Sequence, residues 1–275
     1  MALGFDIAGG SILGYQHLRK GQNNQDAFAY SQQREGTIAI VCDGCGSAPS
    51  SEVGAQLGAQ LVLNTMSQTL QELELGLVDD QFWPTVQETI VKKLKAIALN
   101  FAPSIATFIS DYLLFTVIGV VITPELTTLF GVGDGVFALN GEVETIGPFS
   151  NNAPPYLAYL LADRLPGLPP DFCDIKVYRQ VATATVESVL IGSDGVGDWG
   201  AIASQPLPGK SERVGNLSQF WCEDRYFKNP DLIRRRLSLI NRESIKADWA
   251  QQQLIKLGGL LHDDTTLVVM RRSGN

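Results

Sequence analysis

The stretch of sequence that decides the fold is IAIVCDGCGSAPSSEVGAQ, residues 38–56. Its first residues form an uninterrupted apolar run, which predicts a buried strand. This run leads directly to Asp43 and Gly44. Ser50 and Ser51 then offer hydroxyl groups that can cap a helix beginning near Glu52. A buried strand, an acid at its end and a capped helix therefore follow one another along the chain.

The same arrangement of an acid beside an apolar strand returns three times. It occurs in GVGDGVFAL (residues 131–139), SVLIGSDGVGDW (188–199) and LLHDDTTLVV (260–269). One Asp-Gly step is typical of a turn, but the repetition places Asp43, Asp134 and Asp194 at equivalent points, each followed by glycine. The pair Asp263 and Asp264 precedes a fourth apolar strand. The pattern predicts that these carboxylates meet at one edge of the fold.

A cluster of carboxylates has a specific electrostatic consequence. Two carboxylates 4 Å apart repel each other by roughly 4 kcal/mol at an effective dielectric constant of 20. The cluster must therefore take up protons, spread apart or bind cations. Oxygen ligands without His or Cys favour hard ions such as Mg²⁺ and Mn²⁺. The sequence thus indicates a site for divalent cations.

Composition restricts the class of protein. The chain has 275 residues and a formal net charge of −8, which argues against a nucleic-acid partner because such partners select basic surfaces. The N-terminal residues have no basic region followed by an apolar stretch, and the longest apolar run, residues 113–123, is shorter than the roughly 20 residues that span a bilayer. We therefore expect a cytoplasmic monomer with no membrane partner.

The cysteines are interpreted as reduced residues. There are four, with only two histidines in the chain to complete a zinc site. The cysteines are Cys42, Cys45, Cys173 and Cys222.

Helices and strands are predicted in blocks. Periodicity indicates a helix from about Glu52, with Val53, Leu57 and Leu61 on its core face, and a second helix from about Pro84. Two further helical segments are predicted, one after residues 229–230 and one over residues 244–257. Strands are predicted over residues 4–14, 27–31, 37–42, 112–123, 126–140, 141–147, 181–195 and 265–272. Blocks of strands separated by helix pairs favour an α+β fold with antiparallel sheets covered by helices. No linker-like break divides the chain, which predicts a single domain over residues 1–275.

Two other features are interpreted from composition. Residues 148–172 are rich in Pro, Asn and Leu, and predict a long surface loop or flap with a short helix near Tyr156. Trp199, Trp221 and Trp249 are interpreted as core aromatic residues.

Five motifs, in order along nearly the whole chain, resemble the motif series of the protein phosphatase 2C family. They are NNQDAFAY (residues 23–30), VCDGCGS (41–47), GVGDGVFAL (131–139), IGSDGVGDW (191–199) and DDTTLVV (263–269). Gln25 before Asp26 is most similar to the bacterial branch of the family. The resemblance implies a metal-dependent phosphatase of phosphoserine and phosphothreonine. It also implies a four-layer αββα sandwich, in which two antiparallel sheets pack together between outer helices.

The resemblance also implies roles for individual residues. Asp43 would bridge two metal ions, and the carbonyl of Gly44 would bind one of them. Asp194 and Asp263 would complete the shell of the other ion. The acids expected to hold a third, weaker ion are Asp134, Asp194 and Asp198. Asp26 would contact water in the metal cluster, and paired metal ions of this kind activate water for attack on phosphorus.

The sequence departs from the family pattern at the phosphate-binding positions. Gly21 occupies the position where many members have a phosphate-binding Arg, and residues 43–51 lack the His that many eukaryotic members use as a general acid. His17, Arg19 and Lys20 are therefore the candidates for binding the substrate phosphate, and His17 is also the candidate proton donor. His262 is interpreted as a packing or solvent-facing residue.

Other motifs give weaker indications. PGKS, residues 208–211, is similar to the end of a P-loop, but Ser204 replaces the required first glycine. The basic segment over residues 225–242 is interpreted as a solvated helix face.

Two hypotheses about function follow. One is an active phosphoprotein phosphatase that uses Mg²⁺ or Mn²⁺ and opposes a serine/threonine kinase. The other is a phosphatase-like regulatory or binding module with weak or no activity. Retention of the strand-end acids favours the enzyme, whereas the missing Arg and His favour the module.

Overall fold

The computed structural model describes residues 4–72, 76–101, 104–162, 169 and 171–274. In these ranges the strands are β1 (Phe5–Ile12), β2 (Asp26–Gln32), β3 (Thr37–Asp43), β4 (Val117–Ile122), β5 (Leu126–Val132), β6 (Gly135–Leu139), β7 (Glu142–Ile146), β8 (Lys176–Ala182), β9 (Ser188–Gly192), β10 (Ser244–Asp248), β11 (Gln253–Leu257) and β12 (Thr265–Arg272). The α-helices are α1 (Tyr15–Lys20), α2 (Ser51–Glu72), α3 (Phe82–Phe101), α4 (Ile105–Phe108), α5 (Trp199–Ile202), α6 (Gln219–Cys222), α7 (Arg225–Lys228) and α8 (Leu232–Ile240).

Ten of these strands form two five-stranded sheets. Sheet I has the strand order β1-β12-β9-β6-β7, and sheet II has the order β2-β3-β4-β5-β8. Neighbouring strands in both sheets are antiparallel. The remaining strands, β10 and β11, form a separate hairpin.

Three apolar layers hold the sheets and helices together. Between the sheets, side chains such as Val41, Ile118 and Val268 form one buried cluster. Helices α2 and α3 cover the outer face of sheet II, and residues of α5 to α8 pack on the outer face of sheet I. The four layers confirm the predicted α+β sandwich.

The core face of α2 differs from the sequence prediction. Val53 is 49% exposed and Leu57 is only partly buried, whereas Ala55 and Ala59 are fully buried. A Cβ atom on Gly58 would meet the ring of Phe115 at 2.3 Å. Small residues therefore form the contact face in the first half of α2, because the helix approaches Phe115 too closely for large side chains there, whereas Val62, Leu63 and Met66 are buried further along.

The predicted helix over residues 244–257 is wrong, because this segment forms the hairpin of β10 and β11. The side chain of Asp248 accepts hydrogen bonds from the amides of Ala250 and Gln251, and Gln252 has a left-handed φ of 51°. These hydrogen bonds and the left-handed residue form a tight turn over residues 248–252, which interrupts any continuous helix. Trp249 lies in this turn and is 87% exposed, so its interpretation as a core residue is also wrong.

Two other predictions, for the strand from residue 112 and for the basic segment, agree with the structure only in part. The strand predicted from residue 112 begins at Val117, after a π-helix over Ile109–Leu113. In the basic segment, Arg234 and Arg235 are exposed and pair with Asp231, but Arg236 is buried and donates to the carbonyls of residues 213 and 214. The solvated-face interpretation therefore holds for only part of the segment.

The predicted loop over residues 148–172 is described only in part. A 3₁₀ segment, Leu157–Leu161, follows Tyr156, and residues 163–168 and 170 lie outside the described residues. All four cysteines are free. Among the described residues, no single helix has both the length and the apolar composition needed to cross a bilayer. Only α3 together with Ile105–Leu113 has both, across a bend of 111°.

Candidate active site

The strand-end aspartates of both sheets meet at one edge of the sandwich. In sheet II, β2 begins at Asp26 and β3 ends at Asp43, and these two residues are register partners. In sheet I, Asp194 follows β9 and Asp263 precedes β12. Asp134 lies between β5 and β6, where the chain passes from one sheet to the other. Antiparallel pairing therefore brings together residues that are distant in sequence.

Asp43 and Asp194 influence each other's ionisation. Burial raises the pKa of Asp43 well above its usual range, and the charges of Asp26 and Asp194 raise it further. Asp194 is exposed to the cleft, but the surrounding protein still desolvates its carboxyl group enough to raise its pKa. The charges of Asp263 and Asp198 raise the pKa of Asp194 further. The cluster is therefore under strong electrostatic repulsion.

Asp26, the register partner of Asp43, is buried within the protein. Its Oδ2 accepts a hydrogen bond of 2.6 Å from Ser193 Oγ, whereas its Oδ1 has no hydrogen-bond partner among the described residues. Burial raises the pKa of Asp26 to about 8, although the bond from Ser193 opposes the shift. A buried carboxylate oxygen without a partner costs free energy. The described residues supply no group that compensates the Oδ1 atom of Asp26.

Asp134 is placed by a glycine-dependent turn. Gly133 has a φ of 96°, in the left-handed region, which permits the sharp turn before Asp134. Asp134 is 8% exposed, and burial, with a contribution from the charge of Asp194, raises its pKa to about 6.

Asp264, next to the predicted ligand Asp263, joins three segments of the chain. Its Oδ1 accepts a 2.6 Å hydrogen bond from the Gly14 amide, and its Oδ2 accepts one of equal length from the Gln25 amide. The Nδ1 atom of His17 lies 3.0 Å from Asp264 Oδ2, although this contact lacks hydrogen-bond geometry. The Nε2 atom of His17 lies 3.9 Å from Asp263 Oδ1. Asp264 thus fixes the β1–α1 turn and the start of β2 against the acidic cluster.

A cleft of about 370 Å³ opens above the cluster. The predicted site residues that line it are His17, Lys20, Asp43, Gly44, Asp134, Asp194 and Asp263. Arg19 and Asp198 are not among the described lining residues: the Arg19 guanidinium lies 6.0 Å from the centre of the Tyr15 ring, and Asp198 is exposed. Asp26 also lies outside the lining, because it is buried next to Asp43.

Gly44 has little room for a side chain. Its amide donates to the Gln25 carbonyl at 3.0 Å, and a Cβ atom would meet Ser51 Oγ at 2.8 Å. The backbone of Gly44 therefore lines the cleft directly beside Asp43.

The donor set fits hard divalent cations. Five aspartates line the cleft, and Lys20 is the only described lining residue with a permanent positive charge. The unpartnered Oδ1 of Asp26 and the raised pKa of Asp43 both indicate that no cationic group among the described residues compensates these carboxyl groups when they ionise. Carboxylate and carbonyl oxygens in this number are suited to Mg²⁺ or Mn²⁺.

Sequence reasoning missed some residues of the cleft. The sequence identifies Asp264 as an acid before a strand, but it does not predict that Asp264 binds two backbone amides, because Gly14 and Gln25 are remote in sequence. Tyr156 and Pro154, from the predicted flap, also line the cleft, as does Thr116 before β4. The only sequence signal for Tyr156 was its place in a long loop, since such loops often carry functional residues.

Comparisons with known proteins establish the family and the fold of the chain. The family model described as Protein phosphatase 2C matches residues 13–221, whereas no curated protein matches the chain. A bacterial serine phosphatase has 12% identity and a TM-score of 0.54, with 98% of each chain covered. Stp1 from Staphylococcus aureus, a serine/threonine phosphatase, has 15% identity and a TM-score of 0.54, with 100% of this chain and 98% of that one covered.

A third structure is the catalytic domain of the serine threonine protein phosphatase PstP in complex with two manganese ions. It has 15% identity and a TM-score of 0.52, with 97% of each chain covered. At these identities the structural similarity establishes the fold. Because the family model covers more than half of the sequence, the chain belongs to the protein phosphatase 2C family.

Proposed function

We propose that this protein is a metal-dependent phosphatase that hydrolyses phosphoserine and phosphothreonine in proteins. The observation that carries this proposal is the convergence of Asp43, Asp194 and Asp263 on one open cleft. An acidic cleft repels a phosphate dianion unless cations reverse its charge. Two-metal phosphoryl transfer uses such cations, so the acidic cleft and the proposed reaction support the same function.

The proposed metal ligands are the acids at the strand ends. Asp43, the carbonyl of Gly44, Asp194 and Asp263 would hold two Mg²⁺ or Mn²⁺ ions, and Asp134 with Asp198 would contribute to a third. When bound, the ions would supply Lewis-acid chemistry, polarising the phosphoryl group and lowering the pKa of water so that it can lose a proton and attack phosphorus near neutral pH. Bound cations would also relieve the mutual repulsion of the aspartates, and this relief favours ion binding.

The other residues of the site would orient water and substrate. Asp26 supplies an unpartnered carboxylate oxygen, which we propose as a hydrogen-bond acceptor for water in the cluster. His17 and Lys20 line the cleft and are the proposed contacts to the substrate phosphate. His17 would also donate the proton to the leaving serine or threonine oxygen. Arg19, outside the described lining, stays a weaker candidate for phosphate binding.

The partner that this function implies is a phosphorylated protein. We propose that the enzyme opposes a serine/threonine kinase, acting as a cytoplasmic monomer. The family assignment supports the phosphoprotein substrate.

The experiment is a metal-dependent assay with p-nitrophenyl phosphate. We expect Mn²⁺-dependent release of p-nitrophenol that EDTA abolishes, and a loss of at least about 100-fold in kcat/KM for Asp43→Asn and Asp194→Asn. Asp80→Asn is the matched control, because Asp80 is exposed and remote from the cleft. Activity that survives EDTA or both cluster substitutions would contradict the mechanism. Binding of phosphopeptides without turnover would instead support the regulatory module.

A further inference from the structure

The hairpin of β10 and β11 exposes an unusual amount of apolar surface. Leu254 is 73% exposed, Ile245 is 61% exposed, and Trp249 in the turn is 87% exposed. Ile255 and Leu257 are also exposed. In the described part of the chain, β10 and β11 pair only with each other, so each has a free edge. A free strand edge with apolar side chains is a surface that pairs readily with another polypeptide.

The base of the hairpin contacts the wall of the candidate active site. A Cβ atom on Gly258, directly after β11, would meet the ring of Tyr15 at 2.5 Å, so the chain packs closely on α1 there. The Tyr15 amide donates to the carbonyl of Leu261 at 2.8 Å. His17 and Lys20, on the same short helix, line the cleft. The base of the hairpin therefore packs against the helix that carries two residues of the cleft.

The charges of this region fit a phosphorylated partner. The cross-strand pairs Ile245–Lys256 and Lys246–Ile255 put one lysine beside one aliphatic residue on each face of the hairpin. Lys256 pairs with Glu243 at 2.8 Å, whereas Lys246 has no ion-pair partner among the described residues. Glu243 and Asp248 balance the two lysines within residues 243–257. Arg19 and Lys20, on the helix that the base of the hairpin contacts, make the region net positive in a chain of net charge −8.

We propose that the β10–β11 hairpin is a docking arm for an extended, apolar segment of the phosphorylated substrate protein, next to the phosphoresidue that enters the cleft. This inference rests on the proposed phosphatase function. It assigns the choice of substrate to a hairpin that lies beyond residues 13–221, the part that the family model matches.

The test compares two substrates in three proteins. The substrates are p-nitrophenyl phosphate, which cannot reach the hairpin, and short phosphothreonine peptides with either leucine or serine in the flanking positions. The proteins are the wild type, the double variant Trp249→Ala, Leu254→Ser, and the control Leu99→Ser. Leu99 is a similarly exposed leucine, at 61%, on the distant helix α3.

The wild type should prefer the leucine peptides, because burying one leucine side chain contributes about tenfold or more to affinity. The hairpin variant should lose this preference and keep its activity on p-nitrophenyl phosphate within about twofold. The control should keep both properties. An unchanged peptide preference in the hairpin variant would overturn the docking arm and leave the phosphatase function intact.

A binding measurement decides the case in which p-nitrophenyl phosphate is not hydrolysed and the proposed function itself fails. Trp249 is the only exposed tryptophan of the four, so acrylamide quenches its fluorescence selectively. Leucine-containing phosphopeptide should protect this fluorescence in the wild type, and Leu254→Ser, which keeps Trp249, should weaken the protection. Absence of protection would overturn the proposal. So would a dimer in sedimentation experiments that the hairpin variant dissociates, because the hairpin would then bind a second copy.

Discussion

Asp26 and Asp43 are direct register partners in β2 and β3, so their side chains lie next to each other at the same end of sheet II. Burial raises the pKa of both carboxyl groups, and the charge of Asp26 raises that of Asp43 further. Ionisation of these carboxyl groups therefore opposes the stability of the metal-free fold. This conflict leads to predictions about the pH dependence of stability, about the residues that hold the site together and about catalysis.

The first prediction concerns pH. Burial raises the pKa of Asp26 from 3.8 to about 8 in the folded chain, so between these values the folded protein keeps a proton that the unfolded chain has lost. The free energy of unfolding must then fall as pH rises, by roughly 1.4 kcal/mol per pH unit for each such group. In EDTA, the Tm should fall from pH 5 to pH 8, and Mn²⁺ should flatten this dependence.

Asp26→Asn is the control for this measurement. It removes the ionisable group and keeps the shape, so the fall in Tm with pH should become smaller. A Tm that increases with pH in EDTA across the same range would show that the carboxyl groups are not desolvated as described.

The second prediction concerns Asp264, which accepts the amides of Gly14 and Gln25. Asp264→Ala leaves two buried donors without an acceptor, each at a cost of about 1–3 kcal/mol. We expect a loss of about 2–5 kcal/mol in the free energy of unfolding by urea. Asp264→Asn keeps one acceptor oxygen and should lose less. Equal losses for both variants would contradict the two-amide role.

The third prediction concerns the packing of α2 against the π-helix. A Cβ atom on Gly54 would lie 1.6 Å from the carbonyl oxygen of Tyr112, so Gly54→Ala should destabilise the fold by about 2 kcal/mol or more. Gly200→Ala is the matched control, because no atom lies within 4 Å of the added methyl group. Thermal unfolding should separate the two variants. Equal Tm values would refute this close approach.

The site could be predicted from sequence where local pattern alone decides the structure. Apolar runs define the strands, and an acid directly beside such a run must lie at a strand end, as for Asp43 and Asp194. The meeting of these ends required a further step, because antiparallel pairing is a long-range property. The motif series supplied that step through its resemblance to a known family.

Other features depend on contacts that no local pattern records. The role of Asp264 depends on amides more than 200 residues away in sequence. The sequence predicts a helix over β10 and β11 because, in so short a segment, its mixed apolar and charged residues fit both the 3.6-residue period of a helix and the two-residue period of a strand. The turn at Asp248 separates the two strands of the hairpin, and it depends on hydrogen bonds from backbone amides to the Asp248 side chain.

The fourth prediction uses the two histidines of the chain. His17 is 8% exposed and lines the cleft, whereas His262 is exposed and does not. His17→Ala should lower kcat or raise KM for p-nitrophenyl phosphate by about tenfold to 100-fold, without weakening Mn²⁺ binding. His262→Ala should match the wild type. Wild-type kinetics for His17→Ala across pH 5–9 would exclude a role for His17 in phosphate binding or proton transfer.

The central claim is that the strand-end aspartates form one site for divalent cations. Its most direct test is calorimetric titration of Mn²⁺ into EDTA-stripped protein, with Asp43→Asn as the comparison. We predict saturable uptake of at least two ions by the wild type and a loss of the tighter binding in the variant. No detectable uptake by the wild type, or an identical titration for Asp43→Asn, would contradict the claim.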